Sequence, residues 1–515
     1  MKHVVLLVFS LIAISCNQRS NLILYNAPRP ELKANDFEMS VDNQQVFIYK
    51  ARVSKYPVNQ VWPGYQRSLS QTEVASFAYF DFKGEVEIKI HSNERIKKLD
   101  IRPKEFNIRS IVEDSLITIK LSRPCQFTIE INGYHKALHV FANPVEDFNI
   151  DKEDSKVHYF GPGVHEAGII HLKSNETVFI DGGAIVYGVI EAENAQNIKI
   201  IGRGILDASK IKRNGAPNMI TLKNVKHAYV GGIILRDPHE WTVVPTNCDS
   251  VIFDNIKMIG LWRYNSDGID IVNCKNITIK NTFIRSFDDN IVIRGMKVSD
   301  VEPYNIINNI IVDSCVLWND WGRALEIGAS TVADTIKDIW FSNCYIPHFT
   351  AVAMDIQNCD RGYVKNIHYN NIFIEDPISD SLTLGQTPIS TNAWGKIIVL
   401  GIYDSFYAND TVRGDISDVY FNGIKYNKGN SLEAYSIEHD STLVIDDSKH
   451  FIRDNIYFGN IKFNTTFSKD IYLSGYDASH SITNIFIKNF FINDKRQVNA
   501  SSIGKNEFVS NVILN

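Results

Sequence analysis

The chain has 515 residues, of which 44% are hydrophobic and 22% charged, and its formal net charge at pH 7 is −6. These are values of a globular protein, and the length suffices for two or three ordinary domains or for one long repeat array with a smaller module. The negative charge, and the lack of a basic cluster with interleaved aromatic residues, argue against a nucleic-acid partner.

The first residues predict an export signal. Lys2 and His3 precede an apolar run over residues 4–14, which is too short to span a bilayer. The run ends at Ala13-Ile14-Ser15-Cys16, which resembles the cleavage site of a bacterial lipoprotein. Residues 1–15 would then be a signal peptide, Cys16 the lipidated first residue of the mature chain, and residues 16–34 a tether. We expect an exported lipoprotein anchored in the outer membrane, facing the periplasm or the cell surface; an ordinary signal with an incidental cysteine is the alternative.

Residues 35–150 predict an antiparallel β-sandwich. Several segments alternate apolar and polar residues, which is typical of strands with one solvent-exposed face. Turn residues separate these segments. The predicted strands cover residues 77–82, 85–90, 116–121, 127–131 and 137–141.

Residues 151–515 follow a different pattern, in which a motif of the type Asn-Ile-x-Ile recurs at intervals of roughly 20–35 residues. A period of this length indicates a solenoid, and the β-branched residues and Asn-rich bends favour strands over helices. The sequence therefore predicts an all-β chain in which the sandwich precedes a right-handed parallel β-helix of about 10–11 coils. The motif begins at Asn197, Ser250, Asn276, Asn309, Asp338, Asn366, Asp418, Asn455 and Asn484.

Six cysteines follow Cys16, and their spacing favours buried thiols over disulfides. Cys248 and Cys274 each lie three residues before an aliphatic residue of the repeat, and Cys315 and Cys344 each lie five residues after one. Each pair should therefore stack on successive coils as small buried side chains. No His/Cys spacing typical of a metal site occurs, and we expect neither a metal nor another cofactor.

Three aspartates lie in two segments that the repeat places on neighbouring coils. Aligning Ile269 with Ile291 gives an offset of 22 residues. Asp267 then falls beside Asp289, with Asp288 adjacent. Stacked strands lie about 4.8 Å apart, so these carboxyl groups should crowd and raise some of their pKa values. Hydrolysis of a glycosidic bond needs such a set, because one carboxyl group must stay protonated while another stays ionised. An Asp/Asn ladder at the coil corners is the alternative.

The same segments resemble motifs of the polygalacturonase-type glycoside hydrolases of family 28. Asn265-Ser266-Asp267-Gly268-Ile269-Asp270 is similar to their Asn-Thr-Asp-Gly-x-Asp motif, and Asp288-Asp289 to their paired aspartates. Asp237-Pro238-x-x-Trp241 is similar to their upstream Ser-Pro-x-Trp. A sandwich ahead of a β-helix resembles the dextranase family 49, whose domain junction is similar to residues 159–164 and 182–188. The resemblance implies that Asp288 is the general acid, and that Asp267 and Asp289 hold and activate water, with inversion at the anomeric carbon.

The chain departs from the family-28 pattern where that family binds substrate. Arg323 occupies the place of a histidine, and Ala353-Met354-Asp355 stands where an Arg-x-Lys pair would hold the substrate carboxylate. A carboxylate is best held by a guanidinium or an ammonium group, so this loss favours a neutral or mixed polysaccharide over polygalacturonate. Glu326 and Asp355 align with Asp270 in one acidic column. The candidate substrate-binding residues are Arg323, Glu326, Asp355, Arg294, Trp241 and Asn265.

Five aromatic residues near these coils either stack on sugar rings or pack the protein interior: Trp241, Trp262, Tyr264, Trp318 and Trp321.

The main prediction is a monomeric glycoside hydrolase that cleaves α-glycosidic bonds in a polysaccharide. Three alternatives stay open. They are a polygalacturonase or other pectin-degrading enzyme, a polysaccharide lyase with Arg323 as its base, and a non-catalytic glycan-binding β-helix. A lyase needs a uronate, and the absence of the Arg-x-Lys pair that would hold the uronate carboxylate argues against this alternative.

Overall fold

The computed structural model describes residues 21–55, 69–297, 305–377, 382–384, 387–389, 395–405, 407–427, 435–437, 470–496 and 500–515. The predicted signal peptide, Cys16 and the motif at Asn455 lie outside these residues. The helices of the described part are short 3-10 turns at Leu69–Gln71, Lys104–Phe106 and Ala500–Ser502. None of the described helices has the length and apolar character needed to cross a membrane.

Two sheets pack face to face in the N-terminal part. Phe80 and Ile129 of the first sheet share one hydrophobic core with Met39 and Ile88 of the second. The first sheet has six strands, at Asn21–Leu24, Tyr49–Ser54, Thr72–Lys83, Leu99–Arg102, Cys125–Ile131 and Leu138–Pro144. The second has five, at Phe37–Val41, Gln44–Val46, Val86–Ser92, Ser110–Glu113 and Leu116–Leu121. Two features differ from the prediction. Leu138–Pro144 pairs with Thr72–Lys83 in parallel, and Asn21–Leu24, which lies in the predicted tether, pairs with Thr72–Lys83 as a strand of the sandwich.

From Val157 onward, the strands stack coil upon coil into one sheet of 31 strands, the arrangement of a right-handed parallel β-helix. The strands form three columns, and Gly163–Leu172 and Ala184–Glu193 span the second and third. The first column contains Val157–Phe160, Thr177–Ile180, Gln196–Gly202, Lys226–Gly231, Asp249–Asp254, Lys275–Lys280, Ile306–Asp313, Thr335–Ser342, Tyr363–Asn370, Ile416–Tyr426, Ile482–Ile492 and Val509–Leu514.

The second column continues through Ile205–Asp207, Ile234–Arg236, Lys257–Ile259, Phe283–Ser286, Val316–Asn319, Tyr345–Phe349 and Phe373–Pro377. The third contains Ile220–Lys223, Val243–Thr246, Ile269–Val272, Ile291–Gly295, Arg323–Thr331, Val352–Asn358, Lys396–Ile402, Ile471–Ser474 and Ile503–Lys505. Lys495–Arg496 pairs with the end of Ile482–Ile492, and a small separate sheet contains Leu382–Leu384, Thr387–Ile389 and Tyr435–Ile437. The predicted fold class, a sandwich followed by a parallel β-helix, is confirmed.

The first residue of the repeat motif adopts a left-handed backbone conformation, which Asn and Asp tolerate better than most residues. Asn276 and Asn309 both have φ of 56°. Their side chains also link the coils, because Asn309 Nδ2 donates to Asn276 Oδ1 at 2.7 Å and Asn276 Nδ2 donates to Asp249 Oδ1 at 2.8 Å. The next residue of each motif points inward, so Ile277 and Ile310 stack in the core. The repeat therefore encodes both the bend and the contact between coils.

The six cysteines of the described part are all thiols, and all but Cys125 are buried. The backbone N–H of Cys248 donates to Cys274 Sγ at 3.2 Å, which places these two on successive coils. The prediction of stacked, buried thiols is confirmed for this pair.

The sandwich packs against the outer side of the second column. Phe77 and Phe141 of the sandwich share an apolar cluster with Ile234 and Phe283 of the β-helix. Buried ion pairs add to this contact, such as Arg203 with Asp81 at 2.8 Å. The three aspartates lie at the next corner of the coil, between the second and third columns.

Candidate active site

Asp288 and Asp289 lie in the bend between the second-column strand Phe283–Ser286 and the third-column strand Ile291–Gly295. Asp267 lies at the same corner one coil earlier. The backbone N–H of Gly268 donates to the Asp289 carbonyl at 2.8 Å, and Ile269 pairs with Ile291. The alignment expected from the sequence is therefore the register that the coils adopt.

The three carboxyl groups are crowded. One carboxylate oxygen from each aspartate lies within 4.8 Å of those of the other two. Asp267, Asp288 and Asp289 are 2%, 8% and 5% exposed, so they form the floor of the site. Asp288 is the most exposed of the three, which suits a group that must meet a substrate.

A bend, not a straight strand, lets both adjacent aspartates face the site, because neighbours in a regular strand point to opposite sides. Two side chains hold the backbone of the bend: Asn319 Nδ2 and Ser286 Oγ donate to the Asp288 carbonyl at 2.7 and 2.5 Å. Asn290 Nδ2 donates to the Trp318 carbonyl at 2.9 Å. These buried amides fix the direction in which the acids point.

Arg294 bridges the acids of both coils. Its Nε donates to Asp270 Oδ1 at 2.8 Å, and its Nη2 lies 3.3 Å from Asp267 Oδ2 and 3.5 Å from Asp289 Oδ2. Its guanidinium also lies over the ring of Trp241, 5.0 Å from the ring centroid. Arg294 therefore offsets much of the negative charge at the floor.

Arg323 supports Asp289 from the following coil. Its backbone N–H donates to Asp289 Oδ1 at 2.8 Å, and its Nη1 lies 3.7 Å from the same oxygen. Its Nε donates to Asp355 Oδ2 at 2.8 Å. Asp289 thus has the donors that stabilise a negative charge, whereas none of the described residues donates a hydrogen bond to the carboxyl group of Asp288.

The pKa shifts of Asp288 and Asp267 bear on which of the three aspartates holds a proton. Burial, followed by the charge of Asp289, raises the pKa of Asp288 to about 7, so this carboxyl group can hold a proton near neutral pH. Burial and the charges of Asp270, Asp288 and Asp289 raise the pKa of Asp267 well above its usual range. Asp289 accepts the Arg323 backbone N–H and lies near two guanidinium groups, so these partners suit it to act as the ionised carboxylate.

The spacing of the three aspartates would by itself suit a divalent cation. Arg294 and Arg323 already supply positive charge to this cluster, at 3.5 and 3.7 Å from Asp289. We therefore assign no metal to it.

The other predicted site residues surround the triad. Asp270, Glu326 and Asp355 occupy one line of the third column, with Val292 between Asp270 and Glu326. All three acids are at most 1% exposed. Asn265 Oδ1 accepts a hydrogen bond from Arg213 Nη2 at 2.8 Å. Direct contacts of substrate with Arg294, Arg323, Glu326, Asp355, Trp241 and Asn265 stay predictions.

The aromatic candidates divide into two groups. Trp241 is half-buried beside Arg294, where a sugar ring can reach it. Trp262, Tyr264, Trp318 and Trp321 are at most 7% exposed. These four pack the protein interior, so the packing interpretation holds for them.

No motif or spacing in the sequence points to Tyr407 as a residue of the site. Its ring is 40% exposed, and partial desolvation of the hydroxyl and the charge of Asp288 raise its pKa to about 12. The segment that carries it is tied to earlier coils, because Asn409 Nδ2 donates to Ser330 Oγ at 2.7 Å and the Asn409 backbone N–H donates to Asp360 Oδ1 at 2.6 Å. These contacts bring Tyr407 toward the acid pair.

Comparison with known proteins agrees with this geometry. Residues 164–387, which contain all three aspartates, match the model of the glycosyl hydrolases family 28. The parallel β-helix is thus similar in sequence to this family. This confirms the resemblance to the family-28 glycoside hydrolases that the motifs predict.

The matched relatives include two fungal proteins. The chain is 25% identical over 290 residues to the probable exopolygalacturonase X of Neosartorya fischeri, covering 50% of this chain and 55% of that protein. It is 23% identical over 266 residues to the probable exopolygalacturonase X of Aspergillus fumigatus, covering 46% and 50%. The chain thus spans about half the length of these relatives. Dex49A from Penicillium minioluteum has the same fold over 96% of both chains, with a TM-score of 0.60 and 13% identity.

Proposed function

We propose that this protein hydrolyses α-glycosidic bonds in a polysaccharide. Asp288 is the general acid, and Asp289, together with Asp267, holds and activates the attacking water. The observation that carries the proposal is the grouping of three carboxylates within 4.8 Å at one corner of the β-helix, inside the region that matches family 28.

The reaction follows from the charge states of the acids. The Asp288 carboxyl group gives its proton to the glycosidic oxygen as the bond from that oxygen to the anomeric carbon breaks. Water attacks the anomeric carbon from the opposite face and loses a proton to Asp289. The donors of Arg294 and Arg323 around Asp289 stabilise its negative charge before the attack.

The distances between the carboxyl groups bear on whether the anomeric configuration is retained or inverted. Paired carboxyl groups about 5–5.5 Å apart usually give retention, and pairs about 6.5–9.5 Å apart give inversion. The nearest oxygens here lie within 4.8 Å, which taken alone favours retention. Our proposal of inversion, which follows the family resemblance, depends on the third acid, since Asp267 and Asp289 together can hold a water while Asp288 faces the leaving oxygen.

The charges around the triad favour a neutral or mixed glycan. Arg213 lies 3.6 Å from Glu240, Arg263 lies 2.8 Å from Asp237, and Arg294 and Arg323 pair with the acids of the site. Each of these four arginines therefore has a carboxylate partner within the protein. A uronate would have to displace one of these partners, whereas hydroxyl groups can bind to the paired carboxylates.

The names of the relatives favour a second candidate, an exopolygalacturonase. A panel of dextran, other neutral α-glycans and polygalacturonate separates the two, with products analysed by mass and their anomeric configuration followed by proton NMR. We expect cleavage of a neutral or mixed α-glycan with inversion. Cleavage of polygalacturonate alone would contradict the substrate proposal, and a retained anomer would contradict the water assignment.

The same panel tests the remaining alternatives. A lyase would form unsaturated products that absorb in the near ultraviolet, and a non-catalytic β-helix would bind a glycan without shortening it. Either result would contradict hydrolysis. Export, lipidation at Cys16, placement in the outer membrane and a monomeric state stay predictions from the sequence.

A further inference from the structure

A fourth acid, Glu326, lies behind the triad, and the proposed reaction gives it no role. It belongs to the strand Arg323–Thr331 and is 1% exposed. Its Oε1 accepts a hydrogen bond from Gln357 Nε2 at 2.8 Å. Its Oε2 is buried, and no described residue donates a hydrogen bond to it. A buried carboxylate with such an oxygen would be costly unless the group is protonated.

The contacts of Gln357 fix its orientation. Its Oε1 accepts a hydrogen bond from the Tyr403 hydroxyl group. Its Nε2 donates to Asp355 Oδ2 at 3.0 Å as well as to Glu326. Both amide hydrogens are therefore used. Because Gln357 donates to Glu326, Glu326 Oε1 acts as an acceptor, and any proton on Glu326 belongs on Oε2.

Glu326 lies on the same strand as Arg323, whose backbone N–H donates to Asp289, and burial, the charge of Asp289 and a side-chain hydrogen bond with Asp289 all act to raise the pKa of Glu326. Two carboxyl groups can form a hydrogen bond only when one of them carries a proton. Burial and the charge of Asp289 raise the pKa of Glu326 well above its usual range. Asp289, in contrast, accepts the Arg323 backbone N–H and faces two guanidinium groups. The proton of this pair therefore resides on Glu326.

We propose that Glu326 is a positioning residue, which stays protonated and donates a hydrogen bond from Oε2 to Asp289, so that Asp289 is held ionised and oriented toward the attacking water. This inference rests on the proposed function, because it assigns the support of the residue that activates water. Gln357 and Tyr403 hold Glu326 in the orientation that this hydrogen bond needs.

The groups around Glu326 leave its proton undisturbed near neutral pH. The charged and titratable groups that face it are Asp289, Arg294, Arg323, Asp355, Cys359, Tyr369 and Tyr403. Burial raises the pKa of the Cys359 thiol and of both tyrosine hydroxyls, so these groups stay neutral. Burial also raises the pKa of Asp355, to about 6, and this group has Arg323 and Gln357 as partners.

Two substitutions separate this role from simple packing. Glu326→Gln keeps an acceptor for Gln357 and supplies an N–H donor for Asp289, so we expect kcat within about 3-fold of the wild type. Glu326→Leu removes both contacts, and we expect kcat to fall about 10–100-fold, as for other residues that orient a reacting group, with KM changed by less than about 3-fold. Glu193→Gln on an early coil is the surface control. Equal loss in the Gln and Leu variants, or full activity in the Leu variant, would overturn the proposal.

An infrared measurement tests the proton without any substrate. The difference spectrum between the wild type and Glu326→Gln at neutral pH should contain the carbonyl stretch of a protonated carboxylic acid, and the spectrum for Glu193→Gln should not. Absence of this band in the Glu326 difference spectrum would overturn the proposal. Failure of the proposed function is distinct, since the wild type would then cleave no glycan while the carboxylic acid band persists.

Discussion

Gly322 lies against the carboxyl group of Asp289 so closely that no side chain fits between them. A β-carbon on Gly322 would lie 2.4 Å from Asp289 Oδ1, 2.8 Å from Asp288 Oδ1 and 2.8 Å from the Asp289 backbone nitrogen. Three atoms of the acid pair would therefore have to move at once. Gly322 sets how closely the following coil approaches the proposed acid and base.

We expect Gly322→Ala to lower kcat by about 100-fold, because a displacement of about 1 Å at reacting groups costs this much. Overpacking should lower the free energy of unfolding by about 1–3 kcal/mol, measured by denaturant titration. Gly161→Ala on the first coil is the matched control, since its nearest contact is the movable Tyr159 hydroxyl at 3.1 Å. A folded Gly322→Ala protein with wild-type kcat would contradict this account of the site.

The activity should depend on the proton of Asp288. Burial and the neighbouring Asp289 raise the pKa of Asp288 to about 7, and the general acid works only while it is protonated. We therefore expect kcat/KM to fall above about pH 7, by about tenfold per pH unit. Asp288→Asn should lower kcat by about 10²–10⁴-fold, with little change in the circular dichroism spectrum. A pH profile that stays level well above pH 7 would refute the assignment of Asp288 as the acid.

The free energy of unfolding should also depend on the proton of Asp288. Because the pKa of Asp288 is higher in the folded than in the unfolded protein, its contribution to stability is complete below the unfolded value of 3.8 and is lost as the pH rises through about 7. Asn has no such dependence. The Tm of Asp288→Asn, measured against that of the wild type, should therefore gain a few degrees between pH 4 and pH 7 and level off above.

The parts of the fold that depend on the local pattern of apolar and polar residues could be predicted. The strand at Leu116–Leu121 has the predicted bounds, because one face is buried and the other is not. The coil register followed from one pair of isoleucines, Ile269 and Ile291, since a slip of one residue would turn every core side chain outward. His227 has the same left-handed conformation, with φ of 57°, but it is not an Asn, so the residue pattern does not predict this coil. The position is defined by its backbone angle, which several residue types can adopt.

The contacts that complete the site could not be predicted. Tyr403 and Gln357 are 46 residues apart in the chain, and Arg285 and His139 are 146 apart. No periodic pattern connects such positions, because an irregular segment or a second sheet brings them together. The sequence also placed Glu326 among the substrate-binding candidates, and its residue type alone cannot distinguish an exposed acid from one paired with other polar groups in the interior.

The contact of Arg285 with His139 joins the sandwich to the strand that leads into the acid pair. Arg285 is fully buried, with Nε 3.3 Å from Asp320 Oδ2 and Nη1 3.2 Å from His139 Nε2. Burial and the charge of Arg285 lower the pKa of His139 well below its usual range, so the imidazole is neutral. Because Arg285 can only donate, His139 Nε2 accepts, and its Nδ1–H donates to Thr128 Oγ1 at 2.8 Å.

We expect Arg285→Met to lower the free energy of unfolding by about 3–5 kcal/mol, because it leaves the Asp320 carboxylate buried without its cation. The second change Asp320→Asn should recover part of this loss, since Trp318 Nε1 still has an oxygen to donate to. The control is Lys223→Met, which breaks an exposed pair with Glu193 and should leave the free energy of unfolding nearly unchanged. The Arg285 guanidinium lies over the Trp318 ring, 4.1 Å from its centroid. If Asp320→Asn brings no recovery, the loss arises from this missing packing and not from the uncompensated charge.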